Sequence, residues 1–390
     1  MAQHKTCADK TCAAFRTKRK VIVSINAAWN ILNFRANLVK ALAEQGLEVV
    51  ALTPDDAHAA ALAGISCRHV ALAMNNKGTN PLQDGGLFLK YVAILRRERP
   101  DAFLGWTIKP NVYGSLAAHL LNIPVINNVS GLGTAFTRHS WLTRVAEQLY
   151  RVALRRSACV FFQNAEDLDL FESRRLVRSE QTALLPGSGI ALDHFTPTNR
   201  VAQEGPVFLL IARLLWDKGV GEYVDAARQV RALLPGARFH VLGFLDANNR
   251  TAIARAQVES WTREGVITYL GAADDVRPYI SAADCVVLPS YREGAPRSLL
   301  EAAAMARPQI ATDVPGCRDV VENGVTGLLC RPRDGADLAQ KMLIFAAMTP
   351  QARAAMGAAG RKRVEQIFDE RIVIERYLDQ LKSVLPPLPA

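Results

Sequence analysis

Short apolar runs recur along the chain, each closed by a polar or glycine-bearing turn and followed by a stretch of helix formers. The first half carries them at 21–25, 49–52, 102–105, 124–126 and 158–162. The second half carries them at 207–211, 238–242, 266–270, 285–289 and 308–311. Runs this short, and apolar at most or all positions, predict strands covered on both faces. Helices are expected at 36–45, where Gly46 ends the element, at 112–121, 141–156 and 298–305, from Asn164 onward, and over 371–385. Strand, helix and strand within about thirty residues is the pattern of a right-handed crossover in a parallel α/β sheet. At 390 residues the chain exceeds the span of a single core, about 250–300 residues, so two domains are expected. We divide it into a basic tail over 1–19, a first domain over 20–196 and a second over 197–370. Thr196-Pro197-Thr198 to Pro206 forms the linker.

Composition and charge narrow the class. No apolar run reaches the ~18 residues of a membrane span. The first twenty residues carry Lys5, Lys10, Arg16, Lys18, Arg19 and Lys20 but no apolar core of a secretory signal, so a cytoplasmic location is expected. The seven cysteines include no C-x-x-C pair, which argues against a zinc site or a disulfide framework. The basic excess is lopsided. Over residues 1–200, 24 Lys and Arg face 15 Asp and Glu (net +9), against 23 and 22 over 201–390 (net +1). A first half this basic suits an anionic partner. No nucleic-acid module signature is present, so an anionic membrane surface is the expected one. The helix at 141–156, with Trp141, Leu142, Val145 and Leu149 beside Arg144, Arg151, Arg155 and Arg156, would suit such a surface, although the same pattern describes an ordinary core helix.

In parallel sheets ligands bind beyond the carboxyl ends of the strands, so the turns there hold the candidate chemistry. The turn after 285–289 reads Arg292-Glu293-Gly294-Ala295-Pro296-Arg297-Ser298-Leu299-Leu300-Glu301. Proline near Pro296 suits a helix opening, and a helix start leaves amides such as those of Ser298 and Leu299 free for a phosphate. Glu293 and Glu301 flank that start. A ligand fitting both features carries phosphates for the amides and hydroxyls for the carboxylates, as a nucleotide diphosphate sugar does. The turn after 207–211 supplies Arg213 and Lys218, cations able to meet a diphosphate.

The spacing Glu293-x7-Glu301, with Arg213 and Lys218 ahead of it, resembles the signature of family-4-type retaining glycosyltransferases. The resemblance covers nearly the whole chain past residue 20. It implies the GT-B fold: two Rossmann-like parallel-sheet domains facing a central cleft, with the last helix, 371–390, packing back on the first domain. It implies a second domain that binds the donor. There Arg213 and Lys218 neutralise the leaving diphosphate, Glu301 holds the ribose, and Glu293, with Gly294 and Ala295, lies beside the donor sugar. Backbone near Gly243, Gly271 and Val276 would hold the nucleoside. No cofactor and no metal are expected. Asp167-Leu168-Asp169 spells the metal motif of a different transferase fold, but its place in a first helical turn favours capping.

The segments "TIKPN" and "NNVSGLGTAF" look like those of a bacterial subgroup that assembles polysaccharides and lipid-linked glycans, as does the loop after the first strand. The implied acceptor set is Asn26, Trp29, Asn30, Asn33 and Arg35 after the first strand, Lys109 and Asn111 after the third, and Ser130, Gly131, Gly133 and Thr134 after the fourth. Many members carry a histidine in this domain. None of these loops supplies one, since His119 reads as mid-helix and His139 lies beyond the loop. The expected activity is transfer of a hexose or N-acetylhexosamine, with a leaning to a uridine donor, onto a polyprenyl-diphosphate-linked saccharide at the inner face of the plasma membrane. Rivals are a sugar-nucleotide epimerase of the same fold, a guanosine-donor mannosyltransferase and a two-domain sugar-binding protein.

Overall fold

The computed structural model describes residues 18–75, 80–131, 141–198, 204–245 and 251–385. Seven strands form one sheet: β1 (Lys20–Ser24), β2 (Glu48–Thr53), β3 (Cys67–Ala71), β4 (Ala102–Trp106), β5 (Val125–Val129), β6 (Cys159–Phe162) and β7 (Thr182–Leu184). Their spatial order is β3-β2-β1-β4-β5-β6-β7. Six more form the second: β8 (Val207–Ile211), β9 (Arg238–Leu242), β10 (Thr268–Tyr269), β11 (Cys285–Leu288), β12 (Gln309–Thr312) and β13 (Gly327–Cys330), ordered β10-β9-β8-β11-β12-β13. Every pairing is parallel. The chain winds outward from the first strand of each sheet and then returns to its other side. The strand order therefore reverses between β1 and β4 in one domain and between β8 and β11 in the other. Crevices at such reversals are where open α/β sheets take their ligands.

The helices follow the expected alternation with two corrections. The turn after β1 is already helical from Ala28 to Phe34; Arg35 (φ −143°, ψ 9°) breaks it before the helix Ala36–Glu44. Asp56 makes the early start possible by accepting the Ala28 amide at 2.8 Å, a role a distant residue can fill and local sequence does not announce. Asn127 and Asn128, expected in a loop, lie inside β5 because buried side-chain partners satisfy them.

The crossing between domains comes earlier than the boundary at 196. Leu185 packs in the first core, whereas Ile190, Leu192 and Phe195 pack in the second. A second crossing runs alongside. The Ile190 amide donates to Phe368 O at 2.8 Å, and the Glu370 amide returns to Ile190 O at 3.2 Å. Gly189 (φ +71°) is required here, since a Cβ would stand 2.3 Å from the Glu370 Cα. Phe368 belongs to the second core and Val373 to the first, so the last helix, Glu370–Val384, lies on the first sheet. Tyr377 anchors it against Phe161 and Trp106, ring centroids 4.9 and 5.6 Å away.

Candidate active site

The reversal between β8 and β11 gathers charge. Trp216–Lys218 forms a single tight turn, closed by Gly219 in the left-handed region (φ +71°); a Cβ there would meet Pro289 O at 2.0 Å. That contact seats the turn on the end of β11. Lys218 Nζ lies 2.5 Å from Glu293 Oε1, and Ser290 Oγ donates to the same oxygen at 2.7 Å. Thr312 Oγ1 in turn donates to Ser290 O. The pair is largely shielded, with side chains 19% and 14% exposed, so its attraction is screened less than that of a surface pair. Arg213 is exposed and, among the described residues, has no carboxylate or carbonyl partner.

Pro296 stands at the N-cap of the helix Arg297–Ala304 with extended backbone and no capping side chain. The Leu299 amide, expected to be free, is already bonded to Pro296 O at 3.1 Å because the first turn is tight. The Ser298 amide makes no backbone bond among the described residues and stays open at the positive end of the helix. Glu301 is buried in the same helix, with Arg297 Nε 3.0 Å from its Oε1. Burial raises its carboxyl pKa above the usual range, and Arg297 offsets only part of that rise. The ends of β9 and β10 are tied together, the Gly243 amide to Gly271 O at 2.8 Å and the Tyr269 hydroxyl to Gly243 O at 2.9 Å. Space is open where a Gly271 side chain would stand. Val276 accepts from the amides of Tyr279 and Ile280 at the start of the helix Arg277–Ala282.

The turn after β11 also meets the first domain. A Cβ on Gly294 would fall 2.4 Å from Ser130 O, and one on Gly131 would lie 3.6 Å from the Gly294 amide. Ala295 packs on Gly187 of the crossing segment in the same way. Arg292 is ion-paired with the buried Asp167, and Arg318 with Glu166 at 2.8 Å, so both bridges join the domains. Asp167 is thus a capped and ion-paired residue, its amide held by Asn164 Oδ1 at 2.8 Å. On the opposite flank Trp29 sets its ring edge-on to Phe244, 6.3 Å away.

The expected acceptor residues divide. Asn26 and Asn30 are bonded to each other at 2.8 Å, and Asn33 to Trp29 O at 2.9 Å, along the helix that replaces the expected loop. Arg35 is buried over the Trp106 ring, 5.1 Å from its centroid, and burial lowers its guanidinium pKa to about 10. Lys109 is engaged by Asp84 at 2.6 Å. Asn111 is not accessible: it is 1% exposed, and its amide donates to Asn128 O at 2.8 Å. Its Oδ1 accepts from Asn127, which also donates to Ser115 and accepts from Ser157. This buried network explains the asparagines structurally. Ser130 and Gly131 do reach the cleft, while Gly133 and Thr134 lie outside the described residues. His119 is buried, with Nε2 2.9 Å from Ala153 O. Ser290 escaped the sequence reading, and Arg292 and Arg297, though inside the stretch it singled out, were given no part in the site; yet Arg297 and Glu301 are four apart on one helix, a spacing that brings such side chains together.

Residues 33–187 match the family described as "Glycosyl transferase 4-like domain", and residues 205–347 match "Glycosyl transferases group 1". The chain belongs to this glycosyltransferase family. It is an enzyme of the GT-B fold, with its two Rossmann-like sheets on either side of the site. Over 378 residues it is 26% identical to the N,N'-diacetylbacillosaminyl-diphospho-undecaprenol alpha-1,3-N-acetylgalactosaminyltransferase of Campylobacter jejuni, covering 92% of this chain and 97% of that one. It is 23% identical to the UDP-Gal:alpha-D-GlcNAc-diphosphoundecaprenol alpha-1,3-galactosyltransferase of Escherichia coli, covering 72% and 73% of the two chains. Among solved structures, Anabaena HepE in complex with UDP-glucose superposes with a TM-score of 0.77 at 19% identity, over 93% of this chain and 99% of that one. Among the described residues, no group of three or more His, Cys, Asp and Glu is placed to hold a metal, and no helix is long and apolar enough to cross a membrane.

Proposed function

We propose that this glycosyltransferase moves a hexose or N-acetylhexosamine from a uridine diphosphate sugar to a saccharide carried on a polyprenyl diphosphate, in the making of a bacterial surface glycan. The observation that carries the donor half of this reading is the Lys218–Glu293 pair beside the open Ser298 amide, at the reversal between β8 and β11. An incoming diphosphate competes for the Lys218 ammonium, and Arg213 and the Ser298 amide add positive potential to the same crevice. Charge that grows on the leaving diphosphate meets donors already in place, which is where such groups lower a barrier most. Glu293, released from Lys218 but still held by Ser290, turns to the hydroxyls of the sugar. Glu301 takes the ribose hydroxyls. With the two carboxylates at different ends of the donor, neither is set across the scissile bond from the other as in a glycosidase, and departure and attack on one face would retain the anomeric configuration. The two cations do the neutralising that a metal does elsewhere. The acceptor half rests on the names of the two relatives, both of which act on diphospho-undecaprenol saccharides. Val145 and Val152, exposed on the helix Trp141–Leu154 with the exposed Arg144, and the exposed Arg155 just past its end, support contact with an anionic membrane at its inner face; the side chains of Trp141 and Leu142 lie outside the described residues.

Thermal unfolding with UDP, GDP and ADP in turn, in buffer containing EDTA, tests the donor site. A ligand at about 100 times its Kd adds about 2.7 kcal/mol. UDP is expected to stabilise the wild type without metal and to lose that effect in Lys218→Ala. A response to none of the three, or an unchanged response in the variant, overturns the reading.

A further inference from the structure

Arg297 has no part in the reading above, yet it touches more of the site than any residue that has. Its Nε lies 3.0 Å from Glu301 Oε1, and its Nη1 donates to Gly189 O of the crossing segment at 2.8 Å. Its guanidinium carbon stands 5.4 Å from the Phe34 ring of the first domain and 5.8 Å from Phe195. One side chain thus connects the buried carboxylate of the second domain, the segment that crosses between domains, and the helix after β1. We propose that Arg297 is the positioning residue of the donor site: it aims the Glu301 carboxylate at the nucleotide while resting on Phe34 and Gly189, so that donor binding and seating of the first domain depend on one side chain. This rests on the assignment of Glu301 to the donor.

The physical case has two parts. A buried carboxylate is driven towards its neutral form unless a cation and hydrogen bonds hold it charged. Among the described residues the cation that holds Glu301 is Arg297, on its own helix. Asp275, from the turn before the helix Arg277–Ala282, pushes the other way, though Arg277 occupies Asp275. Arg35 of the first domain acts on Arg297 from the far side, both being cations near Phe34. Without Arg297, Glu301 would take up a proton at higher pH and lose the capacity to accept two hydroxyl donors. Secondly, arginine keeps its charge and stacks on an aromatic face, which lysine does less well. The contacts to Phe34 and Phe195 therefore fix the fork's plane as well as its place.

The experiment is calorimetric titration of UDP into the full-length protein from pH 5.5 to 8.5, for the wild type, Arg297→Gln, Arg297→Lys, Phe34→Leu and Glu301→Gln. Arg297→Gln is expected to weaken UDP about tenfold at neutral pH, the worth of one charge-assisted bond. The pH at which its affinity reaches half of its plateau should move upward. Arg297→Lys should restore the pH profile but not the full affinity, and Phe34→Leu should lower affinity with the profile unmoved. If Arg297→Gln binds UDP with the wild-type affinity and profile while Glu301→Gln does not bind well, Arg297 is a bystander and the proposal falls alone. If Glu301→Gln binds as the wild type does, the assignment of Glu301 falls and takes the proposal with it. Should Arg297→Gln fail to fold, the lysine and Phe34 variants carry the same test through their affinities, and wild-type affinity for UDP in both overturns it.

Discussion

The two domains share one winding, each with a strand-order reversal that opens a crevice, and use it differently. In the second domain the turns at the reversal hold ion pairs and an exposed cation: Lys218 sits on Glu293, Arg297 on Glu301, and Arg213 has no carboxylate partner among the described residues. In the first domain the equivalent polar residues are mostly committed to the scaffold. Asn111 and Asn127 are sealed in a network with Ser115 and Ser157, Lys109 is held by Asp84, and Asn26 and Asn30 satisfy each other. The difference separates chemistry from architecture. A charge at the end of a buried strand that the scaffold does not use is free to meet a ligand, whereas an amide at the same place can equally bind the fold together.

The comparison breaks most sharply at Lys218. Lys218→Ala removes the cation proposed to meet the leaving group and should lower turnover about 100- to 1,000-fold, as the loss of one preorganised donor does, while the protein stays folded in the absence of ligand. A stable variant with wild-type turnover would place the second crevice alongside the first as scaffold. Next comes the junction of the two. Gly294→Ala puts a methyl 2.4 Å from Ser130 O, a backbone atom that cannot turn aside. The domains must then part, and misplacing the reacting groups by about an ångström costs up to roughly 100-fold in kcat. Small-angle scattering should report the widening.

Asn127→Ala tests the opposite claim for the first domain. It orphans polar groups on Asn111, Ser115 and Ser157, so stability should fall by about 2 kcal/mol in urea unfolding, while Kd for UDP stays put. A change in Kd without a change in stability would return Asn127 to the cleft. The smallest effect belongs to the edge of the first sheet. Arg68, with Lys20, lowers the Glu98 carboxyl from its usual 4.5 to about 2. A depressed carboxyl adds stability that is complete above its unfolded pKa and fades as the pH drops below it. Glu98→Gln should therefore cost about 1 kcal/mol at pH 7, and the gap from the wild type should close between pH 4.5 and about 2.

Much of the architecture could be read in advance because a strand covered on both faces must be apolar along its whole length. Such runs marked β1, β2, β4, β6, β8 and β11 within a residue or so, and β9 was found despite Arg238 and His240. The edge strands β3 and β13 escaped, since Cys67–Ala71 carries arginine and histidine, and an edge needs apolar residues on one face only. The Glu293-x7-Glu301 spacing and the cations before it were visible because a helix start and two carboxylates are local. What each residue does with its side chain was not. Asn111 and Lys109 look like ligand-binding residues until Asn127 and Asp84, far along the chain, are seen beside them. Arg35 looks exposed until Trp106 covers it.

The sequence by itself determined the two parallel sheets, the turns at their carboxyl ends and the charged groups of the second crevice, because periodicity, turn chemistry and helix starts act over a few residues. Only the tertiary structure decided that Gly294 touches Ser130, that Arg292 pairs with Asp167, that Asn128 donates to Tyr377, and that Arg297 spans both domains. Those contacts join residues more than a hundred positions apart. Their geometry follows from how two domains pack around a double crossing, which no local pattern encodes.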